Sequence, residues 1–486
     1  MERVTGPTPL RGSNGITFGP DGRLWVAEYL HGRISAVDVT TGATEVITGP
    51  GGPLQSPDDL VFDADGTMYV TDVAPGLVWR REPGGEFTVA ADGVRNPNGI
   101  AALGNRIFVN EMTFDGRLLE ITGGTKVLAE GLVMGNAMQF GPDGNLYYPH
   151  MFPGGVFRIG PGGGTPELVA EAAQTVAVRF GRDGVLYVLS FDEAGTIVRI
   201  DGDERTEIVT GIAGLDNAAF DAGGRMFVSS FASGGITEIL PGGGLREVLP
   251  RGLVGPYGVT ADADGTVAVA DHYLIDGAYQ PFAHALAADG DLLHVTSQYG
   301  QVMTFDRTTR TSRTRAENLD QPQGIAVRPD GTLLIAEAGA GRVLAIAPDD
   351  TKSVVAEGLG RPADVAIDAD GRVHVTDSDR GAVHRLDDGK PLALAEDLHT
   401  PQGLAFSGER LFVVEAGRRR LVEVGPPSRV VAEDLPVAVP RHTLPDLLIE
   451  GLPGVPRQFA ALATAPDGTL LLGASGDGSV LRLSVA

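Results

Sequence analysis

One phrase of about 40 residues recurs along the 486-residue chain, and a chain built this way must bury its apolar faces repeat against repeat. The first copy runs Asn14-Gly-Ile-Thr-Phe-Gly-Pro-Asp-Gly-Arg-Leu-Trp-Val-Ala-Glu28, continues as His31-Gly-Arg-Ile-Ser-Ala-Val-Asp38 and closes with Thr44-Glu-Val-Ile-Thr-Gly-Pro50. It reads as strand, D-G turn, strand, glycine turn, strand, loop, strand, because short apolar runs bounded by Asp, Gly and Pro are strands and turns. The phrase returns from Pro57, Pro97, Gly135, Thr175, Leu215, Pro256, Pro322, Pro362, Pro401 and Ala461, with a poorer copy near Phe282.

About a dozen four-stranded units predict an all-β fold of the β-propeller kind, in which radially arranged sheets protect one another's edges. Twelve exceeds the roughly 4 to 8 blades that one ring holds, so two tandem six-bladed β-propellers are expected. The last copy stops after its third strand, and residues 2–7 resemble the fourth strand 45–50. For two separate rings the simplest closure puts residues 2–5 on the blade that opens at Leu215, and 245–249 on the C-terminal blade. The boundary then falls at Gly242-Gly243-Gly244. This gives a first propeller over 1–242, with a metal site, and a second over 243–486 that is structural or substrate-binding. Between Asp271 and Phe282 there is too little chain for full third and fourth strands. Segment 426–458, with His442, is long for a connection and is expected to form a lid or a contact between rings.

Charge narrows the partners. With 63 acidic against 38 basic residues and a formal charge of −25, the chain lacks the basic face that nucleic acid or an anionic membrane requires. A small molecule or a cation is the expected partner. Part of the acidity is structural, since Asp21-Gly22, Asp65-Gly66 and Asp143-Gly144 are turn dipeptides. The absence of cysteine removes disulfides, thiolate metal sites and cysteine nucleophiles together. The opening residues lack the charged-then-apolar pattern of a signal peptide and no apolar run approaches about 18 residues, so a cytoplasmic location is expected.

In a propeller the first strand of each blade lines the central channel, so one repeat position projects a ring of side chains around the axis. The position four residues before Phe18 holds Asn14, Asp58, Asn98, Asn136, Val176 and Asp216 across the first ring. Strands disfavour Asn and Asp, yet five of these six are Asn or Asp. Oxygens converging at a channel mouth suit a hard cation, because Ca²⁺ takes about 6 to 8 oxygen ligands, amide carbonyls among them. Asn14, Asp58, Asn98, Asn136 and Asp216 are therefore the candidate ligands for Ca²⁺ or another divalent cation. Turn hydrogen bonds offer a bland reading of the same residues, but the second ring serves as a control. Its matching position reads Tyr257, Phe282, Gln323, Ala363, Gln402 and Ala460, with no carboxylate.

The C-terminal end of the second strand returns to the same mouth. It supplies Glu28, Asp72, Glu111, His150, Ser190 and Ser230, followed by Tyr29, Val73, Met112, Met151, Phe191 and Phe231. A polar ring beneath an apolar collar describes a small-molecule pocket. His150 is its one imidazole and the candidate general acid/base, with Glu111, Asp72 or Glu28 to orient it or activate water. Asp271-His272 is a lesser pair. There is no phosphate loop, no H-E-x-x-H and no G-x-S-x-G elbow.

The phrases Pro97-Asn-Gly-Ile100 and Pro322-Gln-Gly-Ile-Ala-Val327 with a D-G turn resemble NHL-type repeats. They are also similar to the gluconolactonase/senescence-marker-protein superfamily, which includes paraoxonase-like and diisopropyl-fluorophosphatase-like enzymes, while Leu24-Trp-Val-Ala-Glu28 resembles streptogramin lyase. The resemblance implies a divalent ion at the channel, held by a first-blade glutamate and by later Asn and Asp. Asn98 and Asn136 match the asparagines, Asp216 matches the late aspartate, and Asn14 stands where the glutamate would be. It further implies a metal-dependent hydrolase of a small lactone or ester at the first channel mouth. A lyase or cyclase acting on a secondary metabolite, or a non-catalytic binding scaffold, are the alternatives.

Overall fold

The structure is a computed structural model that describes residues 1–49, 51–280, 282–439 and 456–485. Among these residues the chain forms twelve four-stranded antiparallel sheets, and its only helical turns are Tyr29–His31 and Ala416–Arg418. Two compact units result among the described residues: one contains Pro9–Gly252, the other Met1–Thr8, 253–439 and 456–485.

Sheets one to six open with Ser13–Phe18, Pro57–Phe62, Pro97–Leu103, Gln139–Phe140, Thr175–Phe180 and Leu215–Phe220. Each opening strand touches its neighbours', and that of sheet six touches that of sheet one, so the order closes on itself. Sheets seven to twelve open with Pro256–Ala261, Leu286–Asp289, Pro322–Val327, Pro362–Ile367, Pro401–Ser407 and Leu462–Thr464, and they close in the same way.

Packing between sheets follows the repeat. In the first unit the phenylalanine that ends an opening strand meets an aromatic on the second strand of the preceding sheet, edge to face: Phe62 on Trp25, Phe140 on Phe108, Phe180 on Tyr147 and Phe18 on Phe227. Such pairs add about 0.5–1.5 kcal/mol beyond their buried area. In the second unit Phe406 repeats the arrangement on His374, while Ala261, Val327 and Ile367 put smaller aliphatics at this position.

The closure differs from the expected one. Residues Glu2–Arg3 pair with Ser479–Leu483 and complete sheet twelve, with Glu2 opposite Arg482 and Arg3 opposite Leu481. Arg3 fixes this register through Ser479 Oγ at 2.8 Å and Asp477 at 2.9 Å. Leu245–Leu249 instead pairs with Ile236–Ile239 in sheet six. The triple glycine is the reason: Gly243 N donates to Leu240 O at 3.0 Å and Leu240 N to Gly244 O at 2.7 Å, a tight hairpin and not a linker. The boundary between units accordingly follows Gly252, and residues 1–8 belong with the C-terminal unit. The shortened sheet is as expected, with two-residue strands at Leu274–Ile275 and Ala278–Tyr279. In sheet eight the copy near Phe282 is out of step by two residues: Ala285 N donates to Thr296 Oγ1 and Ala288 pairs with Leu293, which puts His284 at the ring position and not Phe282. Residues 440–455, with His442, the centre of the supposed lid, lie outside the described residues.

Candidate functional site

Four of the five candidate ligands, Asn14, Asp58, Asn98 and Asp216, sit in β-bulges, whereas Asn136 precedes the short strand Gln139–Phe140. In sheets one, two, three and six the register shifts between Ser13 and Ile16, Pro57 and Leu60, Pro97 and Ile100, and Leu215 and Ala218, so two residues oppose one. A bulge bends its strand and re-aims side chains. Here it frees Asn14, Asp58, Asn98 and Asp216 from the ladder, together with the residue after each.

In sheets two, three and six the partner opposite the bulge is polar and ties neighbouring sheets together, while in sheet one it is Ala27. Thr71 Oγ1 accepts from Asp59 N at 3.0 Å and donates to Asn98 O at 2.7 Å. Asn110 accepts from Gly99 N and donates to Asn136 O, and Ser229 accepts from Asn217 N and donates to Asn14 O. These three residues hold the backbone of three candidate ligands. The sequence carries their signal as a lone polar residue inside an apolar second strand. Glycine follows Asn14 and Asn98 because the strands crowd at the axis: a Cβ on Gly15 would meet Asp58 O at 2.5 Å, and one on Gly99 would meet Asn136 O at 2.1 Å.

Asn14 Nδ2 lies 3.3 Å from Asp58 Oδ2 and 3.5 Å from Asp216 Oδ1, while Asn98 also hydrogen-bonds Asp58. All four residues are buried. Three of their oxygens, Asn14 Oδ1, Asn98 Oδ1 and Asp216 Oδ2, are buried without a hydrogen-bond partner. Asn136 is turned differently, its Oδ1 accepting from Ala137 N at 2.7 Å and its Nδ2 facing Met151 Sδ at 3.4 Å. Burial, reinforced by Asp59, pushes the Asp58 carboxyl up to about 8. Burial, with Asp58 and Asp59 beside it, holds Asp216 well above the carboxylate range. Uncompensated buried oxygens and like charges of this kind call for a cation or for protons. The donor set of two carboxylates and amide carbonyls suits a hard divalent ion. No group of three or more His, Cys, Asp or Glu placed to hold a metal occurs among the described residues, so amide oxygens would have to complete any shell.

A second layer lies along the axis. Asp59 Oδ1 accepts from Asn217 Nδ2 at 3.1 Å and Oδ2 from Ile100 N at 3.3 Å, with the Arg179 guanidinium 3.7 Å away. Arg179 also donates to the carbonyls of Ala218, Met138 and Val178 at 2.9 to 3.0 Å. It lines a cavity of about 780 Å³ among Phe18, Phe62, Phe140 and Phe180, which none of the candidate ligands borders.

The second-strand carboxylates have another task. Asp72 accepts from the backbone of Gln55 and Ser56, from Ser56 Oγ and from Trp79 Nε1 at 3.0 Å. Glu28 accepts from Arg11 N, Arg33 Nε and Ser35 Oγ, and Glu111 from Arg95 and Arg117. Burial pushes Glu111 up, but the two arginines outweigh it and hold its carboxyl below the ordinary value. The bonded amide lies 16 or 17 residues upstream each time, as it does for Asp271, Glu337, Asp377 and Glu415 in the second unit. These acids, Glu28, Asp72 and Glu111 among them, clamp the loop that enters their own sheet. His150 occupies the same position in sheet four. Its ring stacks on Phe157 at 4.3 Å between centroids, and burial pulls it below the ordinary imidazole value. The residues after the clamps do reach the candidate ligands: Met112 Sδ lies 3.1 Å from Asn98 Nδ2, and Tyr29 is raised by burial and by the nearby Asp58 and Asp72.

The second unit carries neutral or imidazole side chains at the ring position, with one carboxylate, Asp364, in the layer that Asp59 occupies in the first unit, where it accepts from Leu404 N at 2.9 Å. Tyr257 packs at 5.4 Å from His284, whose imidazole burial drives down to about 4. Gln402 accepts from Ala460 N and donates to Gln458 O.

No family model matches the chain. Over 231 residues it is 31% identical to virginiamycin B lyase of Nocardia farcinica, an alignment that spans 44% of this chain and 76% of that protein. The chain belongs to the gluconolactonase/senescence-marker-protein-like β-propeller superfamily. Within that superfamily it is 35% identical over 107 residues to a gluconolactonase of Zymomonas mobilis, and it spans only 30% of that relative's length, against 18% of its own. Among solved structures it resembles regucalcin, a calcium-binding protein of Agrobacterium tumefaciens, with a TM-score of 0.37 and 18% identity over 47% of this chain and 85% of that one.

Proposed function

We propose that each unit is a six-bladed propeller and that the first holds one Ca²⁺-like divalent cation at its channel mouth, where it works as a hydrolase on a small lactone or ester. The observation that carries the reading is the trio of partnerless buried oxygens on Asn14, Asn98 and Asp216, set against Asp58. Asn14, Asp58, Asn98 and Asp216 would hold the ion, with Asn136 swinging its amide from Ala137 N to join them. A cation bound there supplies a Lewis acid that polarises the substrate carbonyl and stabilises the oxyanion. Met112, Met151 and Tyr29 stand beside Asn98, Asn136 and Asp58 and would wall the site with apolar surface. The bulges, held by Thr71, Asn110 and Ser229, fix the ligand positions before substrate arrives. The second propeller is assigned a structural or substrate-binding role, because its ring position carries no carboxylate.

The alignment across most of virginiamycin B lyase favours a second reading, lactone opening by elimination. The two differ in atoms. Hydrolysis breaks the acyl C–O bond and adds a solvent oxygen to the acid, whereas elimination breaks a C–H and an alkyl C–O bond to leave an alkene and a carboxylate. A panel of lactones and aryl esters should be turned over with and without chelator, in ¹⁸O-water. Label in the acid product supports hydrolysis, and an unlabelled unsaturated acid supports elimination. Calorimetry on chelated protein should show Ca²⁺ binding that Asp216→Asn weakens by about 100-fold or more. Wild-type protein that neither binds a divalent ion nor responds to chelation would leave the propeller as a scaffold.

A further inference from the structure

Charge at the first unit's axis is counted out in a way the ligand ring alone does not show. Three acids, Asp58, Asp59 and Asp216, lie there nine-tenths or more buried, and one cation, Arg179, is buried with them. The other acids at this end have partners of their own: Glu28 has Arg33, Glu111 has Arg95 and Arg117, and Asp72 is held by Ser56, Gln55 and Trp79. With the three axial acids ionised and Arg179 cationic, the axis carries a net charge of minus two. Arginine stays charged where other bases would yield a proton. It comes from Thr175–Phe180, the one opening strand of the unit whose ring position, Val176, offers no oxygen. That strand contributes a counter-charge one layer down in place of a ligand.

We infer that Arg179 sets the ionic charge that the proposed metal site accepts, matching it to a divalent cation through Asp59 and holding trivalent ions at a disadvantage. The inference rests on the metal reading above. Arg179 does not touch the candidate ligands: its guanidinium bonds to the Ala218, Met138 and Val178 carbonyls and lies 3.7 Å from Asp59. It is thus a specificity-determining residue acting through the field. In a buried site a unit charge one layer away is weakly screened, and losing it should favour a trivalent over a divalent ion by roughly tenfold or more.

The test measures Tb³⁺ by its sensitised luminescence and Ca²⁺ by competition, in wild type, Arg179→Gln, Asp59→Asn and the double variant, with circular dichroism to confirm folding. Arg179→Gln keeps an amide donor for the carbonyls while removing the charge, and should raise the Tb³⁺/Ca²⁺ affinity ratio about tenfold. Asp59→Asn should lower that ratio by a similar factor, and the double variant should return it to near the wild-type value. A folded Arg179→Gln with an unchanged ratio overturns the inference. So does a double variant that fails to restore it. Should Arg179→Gln not fold, Asp59→Asn decides alone, and an unchanged ratio there is equally fatal. Wild-type protein that binds neither ion fails at the earlier step, since it removes the metal site itself, whereas binding that ignores these substitutions removes only the role of Arg179.

Discussion

Two residues that the repeat aligns with the functional ring part company once their contacts are known. Asp216 faces the axis with an oxygen that nothing satisfies, whereas His150, at the clamp position, stacks on Phe157. His150→Ala should therefore cost about 1 kcal/mol in stability through the lost stack and leave Ca²⁺ affinity unchanged, with kcat/KM lowered less than about tenfold. A folded variant that loses about 100-fold or more would return the proton-transfer role to this imidazole. Asp72→Ala should be more costly, destabilising by about 2–4 kcal/mol because it strands the Ser56 amide and the Trp79 indole, as a denaturant melt would show. The ring of Asn and Asp was legible because strands disfavour those residues, so their recurrence at one repeat position stood out. Asp59, Asn217 and Arg179 were not. For Asp59 and Asn217, strict alternation assigns the residue after the ligand to the other face of its strand, and only the bulge brings it to the axis. Arg179, three positions past Val176, occurs in one repeat alone and so makes no pattern.

At the scale of one sheet, the bulge and the polar residue opposite it form a single device. Thr71 supplies the hydrogen bond that Asp59 N loses from the ladder and then reaches across to Asn98 O, so one side chain both repairs the bulge and sets the next sheet's ligand. Thr71→Val keeps the shape and removes both bonds. It should destabilise the protein by about 2–3 kcal/mol and weaken Ca²⁺ binding with it, while Thr71→Ser should retain most of both. If Thr71→Val lowers stability and leaves calorimetric affinity intact, the bulge is set by other contacts. The sheets themselves were readable from the D-G turns and apolar runs, yet their closure was not. The 245–249 strand resembles any fourth strand, and what decides its sheet is the hairpin formed by Gly242 and Gly243, both at positive φ. That leaves the C-terminal sheet lacking a fourth strand, which Glu2–Arg3 supplies.

Across the whole molecule the buried carboxyls couple stability to pH and to metal. Asp58 is raised to about 8 from an ordinary value of 3.8, and Asp216 moves in the same direction. A carboxyl raised on folding contributes stability that is complete below its unfolded value and is lost as pH rises through its folded value. Histidines held down on folding, such as His272 at about 3 and His284 at about 4, act with the opposite sign, and their contribution is complete above about 6.5. Between pH 6.5 and 8.5 the carboxyls therefore dominate, Asp58 foremost, since Asp271 and Asp364 are raised only to about 7. Chelated protein should lose about 1–2 kcal/mol across that window, read as a falling denaturation midpoint. A bound cation pairs with the ionised carboxylates and competes with their protons, so saturating Ca²⁺ should flatten the profile and stabilise more at pH 8.5 than at pH 6.5. Binding at pH 7 should release protons, seen as a calorimetric enthalpy that depends on the buffer's own ionisation heat. A chelated profile that is flat from pH 6.5 to 8.5, or Ca²⁺ binding with no proton released, would mean that Asp58 and Asp216 are already ionised without the ion and that the axis is balanced by some other charge.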